Sequence, residues 1–317
     1  MQAGTHLESI LSRGEFALTA ELAPPRSLDF AAFDRKAEAL RGSVDAVNLT
    51  DNLSARVRVS SLAASLRVRG HGHEPVLQLT CRDRNRLALQ SDLLGAASLG
   101  IGNVLCLTGD HQSLGDHPQA KGVFDLDSIN FLAMARRMCE KGVLESGVEI
   151  RNSSKSPLTP PRLFIGAAAN PFAEPLRFRA LRLAKKVSAG ARFIQTQPVL
   201  DVAVFRAWMR EVRNLGLHEK VHLLPSVIPM RRAEGFEFLA RNVAGVSVPA
   251  ALVQRMRRAR DQEAEGITLC LEIIEQLRQE PGVHGIHIIT VNWEMIIPEV
   301  VKQAGLLPRP SRSPEAD

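Results

Sequence analysis

Short apolar runs alternate with longer amphipathic segments along the whole chain, and almost every run ends abruptly on polar residues. Residues 16–22 (FALTAEL), 44–50 (VDAVNLT), 75–80 (PVLQLT), 103–107 (NVLCL), 162–168, 191–197 (ARFIQTQ), 221–227 and 283–290 read as strands. Apolar runs of this length, bounded by turn signals, fit strands buried on both faces. Between them, 33–40, 55–68, 87–99, 127–141, 174–188, 202–215, 230–242 with 250–278, and 293–304 read as helices. Gly100 serves as a stop and Asp125 or Asp127 as a cap.

Unbroken alternation of strand and helix predicts a (β/α)8 TIM barrel, a single domain over 1–307. The competing doubly wound sheet lacks its G-x-G-x-x-G after the first strand. Residues 146–161, ending PLTPP, read as an exposed excursion, and the Pro- and Ser-rich 308–317 as a disordered tail.

In a barrel, chemistry gathers at the carboxyl ends of the strands. That geometry predicts one mouth ringed by Glu21, Thr50, Gln78, Asp110, Asn170, Gln197 and Asn292, residues far apart in sequence. The stretch Leu107-Thr108-Gly109-Asp110 ends a strand on a glycine that lets a flat ligand approach the main chain, followed by a carboxylate. Glu21 precedes the stiff Pro24-Pro25 pair. Two acids, several amides and a threonine suit a heterocycle rich in donors and acceptors, such as a pterin or an isoalloxazine. A hydrolytic triad has no elbow motif here, and the histidines have no metal-ligand spacing.

Composition narrows the picture. With 317 residues, 45% of them hydrophobic, the chain can bury a large core. A net charge of +6 is spread through the helices, which favours small anionic ligands over a nucleic-acid surface, and 4% aromatic residues with no Tyr leave few stacking platforms. Cys81, Cys106, Cys139 and Cys270 show no paired spacing and read as buried thiols in a reducing compartment rather than zinc ligands. With no apolar run of about 18 residues, the expectation is a soluble, cytoplasmic protein without membrane, metal or nucleic-acid partners.

In order along the chain, Glu21 before Pro24-Pro25, Thr50, Leu79-Thr80-Cys81, Leu107-Thr108-Gly109-Asp110, Lys185-Lys186 before Ala189-Gly190-Ala191, Gln197 before Asp201, and Thr290-Val291-Asn292 resemble the 5,10-methylenetetrahydrofolate reductase family from about 16 to 307. The runs VNLTDNLSA, QLTCRDRNR and LTGDH are more narrowly similar to the type found in anaerobic and acetogenic bacteria. The resemblance implies flavin-dependent reduction of methylenetetrahydrofolate, with FAD as cofactor and FMN as the alternative. It implies that Glu21 is a general acid, that Asp110 tunes the flavin and touches substrate, and that Gln197 and Asn292 bind the folate. Thr50, Gln78, Leu107, Thr108, Gly109, Asn170, Arg182, Lys185 and Lys186 fall at cofactor-binding positions. Gln78, Asn170, Arg179 and Arg182 depart from the family pattern, and Ala233 stands where an aromatic residue is expected in the seventh loop. These departures imply poor use of NADH by the isolated chain, other electron carriers, and a zinc-containing partner subunit. A flavin- or pterin-binding subunit without its own turnover, and a pterin-dependent methyltransferase, are the alternatives from other classes.

Overall fold

The computed structural model describes residues 2–243 and 245–311. A short helix, α1 (His6–Ser12), precedes β1 (Ala17–Leu22), α2 (Ala31–Leu40), β2 (Ala46–Leu49), α3 (Ser61–Gly70), β3 (Pro75–Thr80) and α4 (Arg86–Ser98). There follow β4 (Asn103–Leu107), α5 (Ser128–Lys141), β5 (Phe164–Ala169), α6 (Arg179–Ala189), β6 (Phe193–Pro198) and α7 (Val202–Asn214). The chain continues through β7 (His222–Val227), α8 (Ala233–Asn242), α9 (Ala250–Arg258), α10 (Gln262–Arg278), β8 (Gly285–Ile288) and α11 (Ile297–Gln303). The strands are parallel and close in chain order, with β8 paired to β1, so the expected (β/α)8 barrel is the fold.

Successive side chains of a strand point to opposite faces, and the two faces have different compositions. Leu18, Ala20, Leu22, Val47, Leu49, Leu77 and Leu79 point outward into the main core beneath the helices. Ala17, Ala46, Val76, Leu105, Phe164, Phe193 and Leu224 form a separate inner cluster, joined from below by Leu7, Ile10 and Leu11 of α1. The stacked rings of Phe164 and Phe193, 5.0 Å apart, fill this end of the barrel. Gly166 makes room for them, since a Cβ there would lie 2.4 Å from the Phe193 ring. Above the plug, the inward residues turn polar: Thr19, Asn48, Gln195 and His287 are all buried.

The pattern-based reading needs several corrections. It contained no element before residue 16, whereas α1 closes the amino-terminal end of the barrel. The helix expected from 55 begins at Ser61, capped by Ser60, because Asn52, Ser54 and Ala55 take positive φ in a tight turn after β2. The expected 250–278 helix is two helices, the second started by Asp261, whose carboxylate accepts from the Ala264 N–H. The expected 174–188 helix begins at Arg179, after a 3-10 turn over Leu176–Phe178.

The segment expected to leave the fold at 308 stays attached as far as it is described, and residues 312–317 lie outside the described residues. The Arg309 guanidinium donates to both Asp45 oxygens and to the Phe16 carbonyl. Asp45 is fully buried and also accepts from the Leu18 N–H at 2.7 Å. Removing one partner of a buried ion pair strands the other. Arg309→Ala should therefore lower unfolding stability by about 3 kcal/mol in urea titrations, and an unchanged midpoint would show that the strap carries no load.

Candidate active site at the barrel mouth

A cavity of about 620 Å³ opens at the carboxyl ends of the strands. Its lining includes Glu21, Thr50, Gln78, Leu107, Thr108, Gly109, Asp110, Asn170, Arg182, Lys186 and Gln197, contributed by strands β1 to β6 and by α6. Two expected members are elsewhere. Asn292 is exposed, with φ 53°, and lies outside the lining, because the chain turns sharply after β8 and only Thr290 and Val291 reach the cavity. Lys185 is exposed and also outside it. Neighbours on a helix diverge by about 100°, so Lys186 shares its face with Arg182 and Arg179, not with Lys185.

Glu21 stands at the centre of the polar floor. Its Oε2 accepts from Gln78 Nε2 at 3.2 Å and lies 4.0 Å from His287 Nε2. Burial pushes its carboxyl up to about 7; the Gln78 hydrogen bond works against this and the Glu294 carboxylate adds to it. Gln78, expected among cofactor contacts, is thus placed as the hydrogen-bonding partner of the acid. His287, directly below, is held down to about 3 by burial, so its ring is neutral.

The opposite wall is shaped by β2 to β5. Gly109 adopts φ 90°, and a Cβ would approach Thr80 and Arg82 side-chain carbons at 3.0 and 3.1 Å, so the main chain comes close to the neighbouring strand end here. The Thr108 hydroxyl accepts from the Ser128 N–H and starts α5. Asp110 sits exposed at the rim, its carbonyl accepting from Arg82 at 3.3 Å. The Asn170 carboxamide oxygen accepts from the N–H groups of Phe172 and Ala173, which closes the turn after β5. Lys186 is buried, donates to the Ala168 carbonyl, and has its ammonium pushed down to about 8 by that burial and then by Arg182. Arg179, Arg182 and Lys186 place three cationic groups along one side of the cavity.

Several site residues escaped the sequence reading. Asp51 accepts from the Thr80 N–H and hydroxyl and from Arg84 at 2.6 Å, tying the ends of β2 and β3 together. Phe238 of α8, 61% exposed, lines the cavity beside Leu239, Val243 and Val246, whereas Ala233 is buried and off the lining. The seventh-loop position therefore contributes packing, and the aromatic edge of the mouth comes from the next helical turn. No helix among the described residues is long and apolar enough to cross a membrane, and no group of three or more His, Cys, Asp or Glu among them could hold a metal ion.

Fold and site together define a (β/α)8 barrel with a half-buried acid and a cationic wall at its mouth. The model of the methylenetetrahydrofolate reductase family matches residues 6–138 and 163–305, leaving out the excursion, and the chain belongs to that family. Methylenetetrahydrofolate reductase 2 of Schizosaccharomyces pombe is 27% identical over 82% of this chain and 40% of its own length. A probable methylenetetrahydrofolate reductase (NADPH) of Caenorhabditis elegans is 25% identical over 78% of this chain and 34% of its own. The chain thus spans less than half the length of these relatives. In fold it is similar to a protein from Clostridium thermocellum described as binding two copies of 5-methyl-5,6,7,8-tetrahydrofolic acid, with a TM-score of 0.66 and 13% identity over 95% of this chain and all of that one.

The raised Glu21 carboxyl has a consequence for stability. Burial lifts it from the ordinary 4.5 to about 7, so between those values the folded chain keeps a proton that the unfolded chain has released. Its stabilising contribution is full below the lower value and is lost as pH rises through the upper one, a difference of about 3 kcal/mol. Glu21→Gln cannot ionise. Its stability should rise relative to the parent between about pH 5 and about pH 8 in paired urea titrations, and a difference independent of pH contradicts the burial of this acid.

Proposed function

We propose that this chain reduces 5,10-methylenetetrahydrofolate to 5-methyltetrahydrofolate, or runs the reverse reaction, with a flavin held at the barrel mouth. The observation that carries the reading is Glu21, an acid whose burial raises it to about 7 inside a cavity large enough for a heterocyclic ligand. Family membership supplies the substrate class.

The residues present fit a flavin. The main chain at Gly109 gives a flat ring close approach, Thr50 and Thr108 line the same wall, and Arg182 with Lys186 offers positive charge to phosphate. Arg179, an additional cation on that face, favours FAD over FMN. A bound flavin supplies the hydride that the exocyclic carbon receives.

The protein's own groups do the rest. Glu21 protonates the bridging nitrogen N10, and the bond from that nitrogen to the methylene carbon breaks with its electron pair left on N10. The carbon is then doubly bonded to N5 as a cationic iminium, which the carboxylates of Glu21 and Asp110 stabilise. Gln197, at the end of β6, hydrogen-bonds the pterin edge. The similarity of VNLTDNLSA, QLTCRDRNR and LTGDH to reductases of anaerobic and acetogenic bacteria extends the reading to an electron donor other than NADH and a zinc-containing partner subunit. Four buried free cysteines suit a cytoplasmic site of action.

Protein expressed with flavin supplied should show a visible flavin spectrum, release FAD on denaturation, and form methyltetrahydrofolate when driven by a reduced dye, with little turnover on NADH. A bound flavin without methyltetrahydrofolate formation would make the chain a binding subunit. Colourless protein that transfers methyl groups in the presence of a corrinoid would make it a methyltransferase, and either result overturns the proposal.

A further inference from the structure

We infer that His287 is a positioning residue for Glu21: when Glu21 is ionised, a hydrogen-bond chain through the barrel interior holds the His287 ring as its Nε2–H tautomer with that N–H facing the carboxylate. The role in turnover rests on the function proposed above, but the tautomer does not.

The chain starts on β2. Asn48 Nδ2 donates to Gln195 Oε1 at 2.7 Å, and Gln195 Nε2 returns a bond to Asn48 Oδ1 at 3.1 Å, so each amide orients the other. Gln195 Nε2 also donates to the Thr19 hydroxyl at 3.0 Å and lies 3.3 Å from His287 Nδ1. The Thr19 oxygen, having accepted from Gln195, directs its own proton to His287 Nδ1 at 2.9 Å. Nδ1 therefore faces two donors and is the unprotonated nitrogen, which leaves the proton on Nε2, 4.0 Å from Glu21 Oε2. All four supporting side chains are buried, and four different strands supply them.

Electrostatics select the same arrangement. If both amides were turned over, Gln195 would present its oxygen to Nδ1, and a bare Nε2 lone pair would face Glu21. A lone pair opposite a carboxylate is repulsive in a buried site, whereas an N–H is attractive. The other groups acting on Glu21 are Gln78 on β3, which donates to it, and Glu294, which repels its charge and is itself paired with Lys36 of α2 at 2.9 Å. His287 thus supplies the one donor from below, opposing the burial that holds Glu21 protonated. It keeps the carboxyl acidic enough to release its proton.

Two readouts test this on the purified protein with the cofactor it carries. Histidine-selective 15N spectra above the Glu21 titration should show His287 neutral with the proton on Nε2. A ring protonated on Nδ1 there, or charged, overturns the inference. In 13C-carboxyl titrations, His287→Phe should move the Glu21 titration upward by about one pH unit, while His287→Gln, which retains an N–H donor, should restore most of the shift. An unmoved Glu21 titration in a folded His287→Phe protein also overturns it. Should that variant fail to fold, the parent spectra decide alone. Neither measurement needs turnover, so failure of the folate reaction and failure of this inference are separable.

Discussion

A closed parallel barrel leaves its inward-facing side chains no route to solvent except through the ends, and much of this site follows from how the interior is filled. One end is sealed by apolar side chains and α1. Farther up, Thr19, Asn48, Gln195 and His287 meet in a space without bulk water, so each must find its partner within the group. Glu21 sits on this layer. Its surroundings give it some hydrogen bonding and no close cation, and so its proton is retained to near neutrality.

The mouth divides by chemistry around the ring. The side built from β4, β5 and α6 carries the close main-chain approach at Gly109 and the cations Arg182 and Lys186. On the other side are Gln197, Ile228, Ile289 and the apolar edge of α8 around Phe238, with Glu21 between the two. A phosphate-bearing cofactor and a second flat ligand can therefore be told apart by one cavity: charge selects on one wall, and apolar contact with a few amides selects on the other. Strained turns frame the opening, including Asn52, Ser54 and Ala55 at positive φ, where the loop after β2 folds back toward Gly115.

The barrel was legible because strand and helix alternate without interruption, and the ring of strand-end residues followed from topology alone. The polar layer beneath it was not. FALTAEL, VDAVNLT, PVLQLT and ARFIQTQ were read as apolar runs ending in polar groups, yet each has a period-two polar set: Thr19 and Glu21, Asn48 and Thr50, Gln78 and Thr80, Gln195 and Gln197. That period was the available signal for a polar interior face. Asn292 fails as a ring member because a left-handed turn intervenes, a matter of backbone geometry that its neighbours do not encode. Lys185 fails for a reason visible in the sequence, since adjacent helix positions do not share a face. Helix α1 is too short for periodicity to reveal, and it is held by tertiary contact with the barrel floor.

The account turns on a single proton at Glu21, and a pre-reduced single-turnover experiment isolates it. Parent and Glu21→Gln proteins, each loaded with flavin and reduced by the same dye, are mixed anaerobically with methylenetetrahydrofolate, and methyltetrahydrofolate is measured against time. Reduction by the dye should proceed alike in both proteins, while the variant forms product more slowly by about 10²- to 10⁴-fold, the usual worth of a general acid. Equal rates of product formation would contradict the account, and the proton would have to come from water or another group at the mouth.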